Sequence, residues 1–564
     1  MNETPTASPR LILEYVQDHE AQRADQIYLT QPLDGGEVRD YSWRETLDEA
    51  RRMAAHLRAL GFEPGARVAL LSKNCAHFII AELAIWMAGG TTVALFPTES
   101  AENIRFVLEH SEARLLFVGK LDTWPQQKSG VPAGLPCVAL PLSSLEGGPR
   151  WADIVARTPP LQGRITRQAD DLAMLMYTSG STGQPKGVMH SFGRISDATE
   201  RTVTLINERT GYPAQHRVLS YLPLSHVFER AKIACWSLVA GNVRVFFSHS
   251  LATFVADLQR ARPNSFISVP RLWLKFQHSV LARIPADVLE ARLADPVQGP
   301  QTARQVLASL GLDAVVSAGS GSAPISAELI AWYRRLGLDL MEGYAMTEDF
   351  AYSHGSLPEC NAPGYVGRAL PGVHSRLSPE GEILVQSPGC MLGYFKRPDL
   401  TAEAFTADGY FRTGDCGHFE ADGMLRLTGR IKELFKTTKG KYVAPVPIES
   451  RLNSHPMVEL SVVCGAGQSA PCALVQLSEA WQKRRQEPQA REQIERELAV
   501  LLEDLNATLA DYEQLRMLVI MDEPWTIENG RLTATMKIKR SAIEGQVLTR
   551  LEGWYAQPQT VLWA

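Results

Sequence analysis

The stretch YTSGSTGQPKGV, residues 177–188, follows directly on an apolar run from Leu172 to Met176. Its glycines, Gly180, Gly183 and Gly187, allow backbone N–H groups to turn towards an anion and approach it closely. The side chains that add hydroxyl donors or positive charge are Thr178, Ser179, Ser181, Thr182 and Lys186. We therefore predict that this loop binds a polyphosphate, and the alternative is a polar turn without a ligand.

The spacing within this loop argues against a Walker-type phosphate loop. That motif has the form GxxxxGK[ST], in which the last hydroxyl binds a metal ion. Here Gly180 and Lys186 stand at the wrong separation, and Gly187 occupies the position of the hydroxyl residue. A P-loop nucleotide hydrolase is therefore disfavoured.

The length and composition indicate a folded protein with more than one domain. A chain of 564 residues exceeds one ordinary core, and 45% apolar with 21% charged residues is typical of globular proteins. A net charge of −5 disfavours nucleic acid as a partner. The eight cysteines form no CxxC pair, which predicts thiols in a reducing compartment and no zinc site.

The longest apolar segment, HFIIAELAIWMAGGTTVALF at 77–96, approaches the length of a membrane span. Because Glu82 interrupts it and Gly89-Gly90 precedes a β-branched run, we predict a buried helix, a glycine turn and a buried strand. The amino terminus shows no signal-peptide pattern. We expect a cytoplasmic protein, and peripheral membrane contact stays open.

Short apolar runs recur along the first three quarters of the chain, several of them ending in loops rich in glycine, serine or proline. The runs are Leu115–Val118, Leu172–Met176, Val218–Leu222, Val243–Phe247, Ser265–Val269 and Ala314–Ser317. This alternation with helical segments predicts an α/β fold with parallel sheets, in which ligands bind at the carboxyl ends of strands. From about Gly364 short alternating strands predict a β-rich subdomain, and we place a domain boundary near 430–433.

Four further motifs carry candidate binding groups. In YLPLSHVFER, 221–230, His226 could meet a substrate carboxylate, although a satisfied core histidine is the alternative. MEGYAMTED, 341–349, offers Tyr344 as a stacking face, Thr347 as a donor and Glu348 as an oxygen ligand for Mg²⁺. In YFRTGDCG, 410–417, Asp415 could accept hydrogen bonds from vicinal hydroxyls. SAGSGSAPIS, 317–326, contains no GxGxxG, which disfavours a dinucleotide fold.

Taken together, these motifs resemble the signatures of the adenylate-forming (AMP-binding) superfamily, which includes acyl-CoA synthetases, luciferases and peptide-synthetase adenylation domains. They occur in the superfamily's order between about residues 10 and 545. The LPLSHxxER form and SFISVPRLWLKF, 265–276, look like long-chain fatty acyl-CoA synthetases in particular. The resemblance implies a large N-terminal AMP-binding domain, 1–430, with its β-rich part at about 364–430, and a small, mobile α+β lid domain, 431–564.

The resemblance also implies roles for individual residues. Adenine would lie against Gly321, Ser322 and Ala323 and near Gly343, Tyr344 and Ala345, of which Ala345 replaces a glycine of the family's GYGxTE. Asp415 and Arg430 would bind ribose and phosphates, Thr347 the α-phosphate, and Thr178 and Glu348 would hold Mg²⁺. Lys432 falls at the interdomain hinge, and Gly440 lies in the loop that admits the pantetheine arm.

The last motif is TATMKIKRSAI, 533–543, where relatives carry an invading lysine, often within PxGK. Here Met536 replaces the glycine and proline is absent. We align Lys537 with the catalytic lysine, and Lys539 is the alternative. Taken without the other motifs, Lys-Ile-Lys-Arg would instead indicate a solvated basic segment.

The implied function is ATP-dependent, AMP-forming ligation of a medium- to long-chain fatty acid to coenzyme A through an acyl adenylate, with ATP, Mg²⁺ and coenzyme A required. The alternatives are a ligase for an aryl or short acid, acyl transfer to a separate carrier protein, and a non-catalytic nucleotide-binding homologue. Chain length of the acid and oligomeric state are not predicted.

Overall fold

The computed structural model describes residues 10–179, 184–208, 213–533 and 536–564, with the side chain of Ser179 left out. Four residues of the predicted phosphate loop, Gly180, Ser181, Thr182 and Gly183, therefore lie outside the described residues, as does the side chain of Ser179.

The helices and strands alternate through most of the chain. The helices are α1 (Ile12–Gln22), α2 (Trp43–Ala59), α3 (Ala76–Ala88), α4 (Ala101–His110), α5 (Trp124–Gln127), α6 (Trp151–Arg157), α7 (Phe192–Asn207), α8 (Val227–Glu229), α9 (Trp236–Ala240), α10 (Phe254–Ala261), α11 (Pro270–Leu281), α12 (Ala286–Ala294), α13 (Gly299–Ser309), α14 (Ala327–Arg335), α15 (Pro398–Ala404), α16 (Pro445–Leu452), α17 (Glu479–Arg484), α18 (Pro488–Asn506) and α19 (Arg540–Tyr555). A π-helical segment, Arg230–Cys235, joins α8 to α9.

The strands are β1 (Ile27–Pro32), β2 (Val38–Ser42), β3 (Arg67–Leu71), β4 (Thr91–Leu95), β5 (Leu115–Val118), β6 (Cys137–Ala139), β7 (Leu172–Ser179), β8 (Pro185–Ser191), β9 (His216–Ser220), β10 (Val243–Phe247), β11 (Ser265–Ser268), β12 (Ser317–Ser320), β13 (Leu340–Tyr344), β14 (His354–Gly355), β15 (Arg368–Ala369), β16 (His374–Leu377), β17 (Glu382–Gln386), β18 (Gly393–Tyr394), β19 (Phe411–Phe419), β20 (Leu425–Arg430), β21 (Phe435–Lys436), β22 (Tyr442–Val443), β23 (Val458–Cys464), β24 (Cys472–Leu477), β25 (Leu518–Ile520) and β26 (Val561–Trp563).

The largest sheet has the order β18-β8-β7-β4-β3-β5-β6, and its strands from β7 to β6 run parallel. Strands β3, β4 and β5 are apolar and buried because helices cover both faces of such a sheet. The parallel strands confirm the predicted α/β class.

The apolar segment at 77–96 folds as predicted. Helix α3 ends where Gly89 adopts a left-handed conformation with φ +97°, and β4 follows at Thr91. Glu82 is buried in the middle of α3 and forms an ion pair with Arg230, the last residue of the YLPLSHVFER motif. No helix among the described residues is both long and apolar enough to cross a membrane.

The chain departs from a simple strand-to-helix order at the predicted phosphate loop. Strand β7 turns back into β8, which pairs with it antiparallel and places Thr178 opposite Lys186. Gly187 lies in β8, where an added Cβ would come within 3.1 Å of the Tyr177 ring. The glycine therefore makes room for an aromatic ring, in addition to any role in approaching an anion.

Two smaller sheets complete the α/β part, with the orders β2-β1-β10-β9 and β11-β12-β13-β14-β15. The predicted strand at 314–317 was wrong, because β12 covers Ser317–Ser320. The N–H groups of Val316 and Ser317 both donate to the carbonyl of Asn264, and the ladder with β11 begins only at Ser317.

The segment beyond Gly364, where short strands of a β-rich subdomain are predicted, contains an antiparallel sheet with the order β16-β17-β19-β20. The last part of the chain forms a separate mixed sheet, β23-β24-β25-β26. One apolar cluster on this sheet includes Ile494 of α18 and another includes Ile543 of α19. The exact domain division at 430 stays a prediction.

Candidate active site

Asp415 and Arg430 are neighbours across the β-rich sheet. The register of β19 and β20 places them opposite each other, and the Arg430 Nε donates to Asp415 Oδ1 at 2.8 Å. The hydroxyl of Tyr344, at the end of β13, donates to Asp415 Oδ2 at 2.8 Å. Because each carboxylate oxygen carries two lone pairs, the buried Asp415 is held in place and can still accept hydrogen bonds from a ligand.

A second group surrounds Glu348. The Tyr394 hydroxyl donates to Glu348 Oε1 at 2.9 Å, and the Lys186 Nζ lies 5.1 Å from the centroid of the Tyr394 ring. Strand β18 brings Tyr394 here because it pairs with β8, which carries Lys186. Thr178 and Lys186, from the predicted phosphate loop, and Glu348, from a separate motif, are thus brought to one edge of the sheet.

The backbone of the 346–349 loop is fixed from several sides. The Met346 N–H donates to Asp349 Oδ1 at 2.9 Å, and the Met391 N–H donates to the Glu348 carbonyl at 2.7 Å. The buried His190 donates through Nε2 to the Thr347 carbonyl at 2.8 Å. Burial lowers the pKa of His190 to about 4, so this donor is a neutral imidazole.

His226 caps the short helix α8. Its Nδ1 accepts a hydrogen bond from the Phe228 N–H at 3.2 Å, and the neutral ring therefore carries its proton on Nε2. Loss of water around the ring, followed by the charge of Lys537, lowers the pKa of His226 to about 3. His226 can donate a hydrogen bond at neutral pH but adds no positive charge.

The predicted adenine loop follows β12 directly. The Gly321 N–H donates to the Ser268 carbonyl at 3.2 Å, and Ser322 adopts a left-handed backbone with φ +69°. A Cβ added at Gly321 would meet the Phe228 ring at 3.3 Å and the Gly343 carbonyl at 3.6 Å. This close approach brings Gly321 and Gly343 together at the carboxyl ends of β12 and β13, and Ala323 is exposed beside them. Ala345, after β13, is half-buried.

Lys537 comes to this site from the C-terminal part of the chain. Its loss of water and then its proximity to Arg430 lower its pKa, and Asp415 and Glu348 oppose that shift. These four charged groups are therefore close enough to interact. Lys539, by contrast, is close to Glu99, and its positive charge acts to lower the pKa of that carboxyl.

The turn that presents Lys537 departs from the usual glycine. Met536 adopts φ +61°, a left-handed conformation that glycine takes without a Cβ penalty. The Thr533 N–H donates to the Lys537 carbonyl at 2.8 Å, and the Lys537 N–H donates to the Thr533 Oγ1 at 3.1 Å. Met536 thus adopts the left-handed conformation expected of the glycine that it replaces, and it is strained in that conformation.

Two family models match this chain. The model described as AMP-binding enzyme matches residues 16–395, and the model described as AMP-binding enzyme C-terminal domain matches residues 433–559. The chain belongs to the AMP-binding enzyme family. The predicted membership of the adenylate-forming superfamily is thereby confirmed, and the protein is an adenylate-forming ligase.

Known proteins similar to this AMP-binding enzyme differ in the acids that they are named for. The long-chain-fatty-acid–CoA ligase FadD15 of Mycobacterium bovis is 29% identical, over 95% of this chain and 96% of that protein. The A domain of carboxylic acid reductase from Segniliparus rugosus, solved with AMP and a co-purified carboxylic acid, aligns with a TM-score of 0.80 at 22% identity, over 98% and 95% of the two chains. The anthranilate CoA ligase AuaEII, solved with anthranoyl-AMP, aligns with a TM-score of 0.78 at 21% identity, over 98% and 100%. The two solved structures show the fold alone.

Two predicted residues of this AMP-binding enzyme stand apart from the groups above. Lys432 lies exposed in a 3₁₀ turn, Ile431–Glu433, directly after β20. Gly440, with φ +75°, closes the turn between β21 and β22 through a hydrogen bond to the Thr437 carbonyl. Among the described residues, no hydrogen bond joins this hairpin to the groups around Asp415 and Glu348.

Sequence reasoning missed Tyr394 and His190. Neither belongs to a motif that was recognised. His190 reaches the Thr347 carbonyl and Tyr394 reaches the Glu348 carboxylate only through the pairing of strands in the sheet. Tyr394 in the run GYFKRP gave no local signal of its contact with Glu348, whereas His190 lies two residues beyond the quoted phosphate stretch.

Proposed function

We propose that this enzyme activates a medium- to long-chain fatty acid with ATP and transfers the acyl group to coenzyme A. The observation that carries the proposal is the position of Lys537, which interacts with His226, Arg430, Asp415 and Glu348 although it comes from the last 30 residues. The positive charge of Lys537, close to the neutral donor His226 and to the proposed ribose and magnesium ligands Asp415 and Glu348, suits acyl adenylation. The similarity to FadD15 over nearly the whole chain supports a fatty acid as the substrate.

In the first half-reaction the acid's carboxylate attacks the α-phosphorus of ATP and expels pyrophosphate, so that an acyl adenylate forms. His226 would orient the carboxylate by donating from Nε2, and Lys537 would offset negative charge at the reacting phosphate. Asp415 would accept hydrogen bonds from the ribose hydroxyls while Arg430 and Tyr344 hold its carboxylate in place. Lys186 would contact the departing phosphates.

The residues fit a magnesium ion bound together with phosphate oxygens. Mg²⁺ is commonly held by one or two carboxylates plus phosphates and water, and Glu348 presents a carboxylate whose Oε1 is oriented by Tyr394. With Thr178 nearby on β7, these two residues would hold the ion. When bound, the ion neutralises charge on the phosphates.

In the second half-reaction the thiolate of coenzyme A attacks the acyl carbon and AMP leaves. We propose that Lys432 is the hinge for the domain movement between the two steps, because it lies in an exposed turn between the two family-model matches. In that movement Lys537 would leave the site, and the hairpin that contains Gly440 would approach it.

The test is a substrate panel with the purified enzyme, ATP, Mg²⁺ and coenzyme A. Octanoate, palmitate, oleate, benzoate, anthranilate and acetate are compared by release of AMP and pyrophosphate and by acyl-CoA formation. We expect the fatty acids to give stoichiometric AMP, pyrophosphate and acyl-CoA. If only the aryl acids or acetate are turned over, the substrate is that acid class and not a fatty acid. Pyrophosphate release without acyl-CoA would indicate another acceptor, and no release with any acid would indicate a non-catalytic homologue.

A further inference from the structure

Cys464 and Cys472 face each other across the hairpin formed by β23 and β24. The strand register pairs them directly, and their sulfur atoms lie 3.6 Å apart. Both side chains are buried in the apolar cluster that includes residues of α19. Neither thiol contacts the groups around Asp415 and Glu348, and the proposed reaction does not use this pair.

The backbone at this pair already suits a disulfide bridge. Residues directly opposite each other on antiparallel strands have Cα atoms about 4.5 to 5.5 Å apart, and disulfides span about 4.4 to 6.8 Å between Cα atoms. Directly opposite side chains also lie on the same face of the sheet. The two sulfur atoms can therefore close to a bond of about 2.05 Å by rotation of the side chains, without a change of strand register.

The other six cysteines have no such neighbour. All eight cysteines lie within the described residues, and there no other cysteine sulfur has a second cysteine sulfur as a hydrogen-bond partner. Cys75, for example, contacts the Ser72 hydroxyl at 3.6 Å. Cys137 is half-buried, whereas the other seven are buried. Proximity thus singles out one pair, and exposure alone would single out Cys137 instead.

The pair lies at the last rung of the β23–β24 ladder, where a small oxidant can reach it. The turn that follows, 465–471, exposes Ala466, Gly467 and Ser469 to solvent. The end of a strand ladder opens locally at a much lower cost in free energy than its centre. Hydrogen peroxide can therefore reach the buried sulfurs through the end of the hairpin.

The two thiols are unequal as nucleophiles. The pKa of Cys472 is lowered because the Cys464 thiol donates to its sulfur, and the Tyr555 hydroxyl acts in the same direction against the effect of burial. The same hydrogen bond, together with burial, raises the pKa of Cys464. Because a thiolate and not a thiol attacks an oxidant, Cys472 is the attacking sulfur and Cys464 the second one.

We propose that Cys464 and Cys472 are a modification site, at which hydrogen peroxide forms a reversible disulfide. The Cys472 thiolate attacks one peroxide oxygen, the O–O bond breaks, and the leaving hydroxide takes up the proton that Cys472 released, which leaves a sulfenic acid and water. The Cys464 sulfur then attacks the sulfenic sulfur, the S–O bond breaks, and the leaving hydroxide takes the Cys464 proton. Two thiols are oxidised by two electrons in all, and one peroxide is reduced to two waters. A small dithiol reverses the reaction.

The bridge would fix the turn 465–471, which is bonded to the hairpin of β21 and β22. The Gly467 N–H donates to the Lys436 carbonyl, and the Thr438 N–H donates to the Gln468 carbonyl, both at 2.9 Å. A disulfide at the base of the turn closes a short loop and suppresses the local opening that breaks these two bonds. The amide hydrogens of Gly467 and Thr438 should therefore exchange more slowly in the oxidised protein.

The first test counts thiols in the unfolded protein with 5,5′-dithiobis(2-nitrobenzoic acid), before and after the native enzyme is treated with hydrogen peroxide. The wild type has eight cysteines and should fall to six thiols, then return to eight with dithiothreitol. Peptide mass mapping should find the bridge between Cys464 and Cys472.

Three variants sharpen this test. Cys464→Ala and Cys472→Ala should form no disulfide, because each lacks one sulfur of the pair. Cys137→Ala removes the half-buried thiol and is the matched control, which should still form the bridge and fall from seven thiols to five. Retention of all eight thiols in the treated wild type, or a bridge that involves Cys137, would overturn the proposal.

The second test measures hydrogen exchange by mass spectrometry in peptides that cover 436–442 and 465–471. Exchange of the Gly467 and Thr438 amides should slow at least about tenfold on oxidation of the wild type, because the cross-link raises the cost of opening the turn. Peroxide-treated Cys472→Ala is the control and should exchange as its untreated form does. Equal exchange in the reduced and the bridged wild type would contradict the effect on the turn.

Discussion

The ribose side of the site and the segment that presents Lys537 are held in opposite ways. Asp415 is buried and fixed by hydrogen bonds from two strands, and Tyr394 orients Glu348 from a third element. Lys537 stands on a turn in which its N–H donates to the Thr533 Oγ1 and in which the preceding residue, Met536, is strained. Under the proposed function, the difference separates a preorganised nucleotide pocket from a cation that is delivered to it. Binding should therefore depend on the first region, and the adenylation rate on the second.

Removing the delivered cation should have the largest effect. Lys537→Ala should slow adenylation by about 100- to 1,000-fold, because the developing charge at the phosphate loses a preorganised partner. Pyrophosphate exchange measures this step. Acyl transfer to coenzyme A from the preformed acyl adenylate should be nearly unaffected.

Lys539→Ala is the matched control, since Lys539 lies two residues away and nearer Glu99. It should retain activity within a few-fold of the wild type. A large loss with Lys539→Ala and little with Lys537→Ala would reverse the assignment of the catalytic lysine.

The preorganised side is tested by Asp415→Asn. The NH₂ group of the new amide would face either Arg430 or Tyr344, and both of these are hydrogen-bond donors. One of the two bonds to residue 415 is therefore lost, and kcat/KM for ATP should fall by about 10- to 100-fold. Tyr344→Phe removes one neutral donor and should cost about fivefold. Asp422→Asn breaks an exposed ion pair between the β19–β20 turn and Arg368 of β15, and should leave kcat/KM for ATP unchanged. An unchanged kcat/KM for ATP in Asp415→Asn would contradict the ribose role.

A smaller effect should follow from Tyr394→Phe. The variant loses the hydroxyl that orients Glu348, and the Mg²⁺ concentration for half-maximal adenylation should rise about fivefold. Tyr365→Phe removes a similar bond, to Glu420 at 2.8 Å on the surface of the β-rich sheet, and is the control. If both variants respond to Mg²⁺ as the wild type does, Tyr394 does not position the ligand.

The smallest effect concerns the strained turn. Met536→Gly should stabilise the chain by about 0.5 kcal/mol, because relief of the left-handed Cβ strain exceeds the extra entropy of the unfolded glycine. Urea unfolding midpoints measure the change. Met536→Ala keeps a Cβ and should give no such gain, and a gain in both variants would assign the effect to the side chain instead.

The sequence was sufficient for the main architecture because its signals are local. The buried helix, glycine turn and strand at 76–95 follow from an unbroken apolar pattern and a left-handed glycine. The nucleotide-side motifs also proved to be neighbours in space: Tyr344, Asp415 and Arg430 form one hydrogen-bonded group. Tyr344 ends β13, whereas Asp415 and Arg430 face each other across the antiparallel strands β19 and β20.

What the sequence did not reveal depends on pairing between distant segments. Tyr394 reaches Glu348 only because β18 pairs with β8, and His190 reaches Thr347 only because β8 lies beside that loop. The strand at 314–317 was misplaced because Asn264, fifty residues earlier, captures the first N–H groups.

The hairpin formed by β7 and β8 has a consequence for the ionic strength at which the enzyme works. Helix α7 begins only at Phe192, after the seven residues of β8, so its amino terminus lies about 20 Å along the chain from Pro185. The field of a helix end fades within a turn, so the amino terminus of α7 is too far along the chain to act on Lys186. Under the proposed function, attraction of the leaving phosphates would then depend on Lys186 and on the loop's own donors. The KM for ATP should consequently rise with added salt, since mobile ions screen the charge of a half-buried lysine more effectively than aligned peptide dipoles at a helix start.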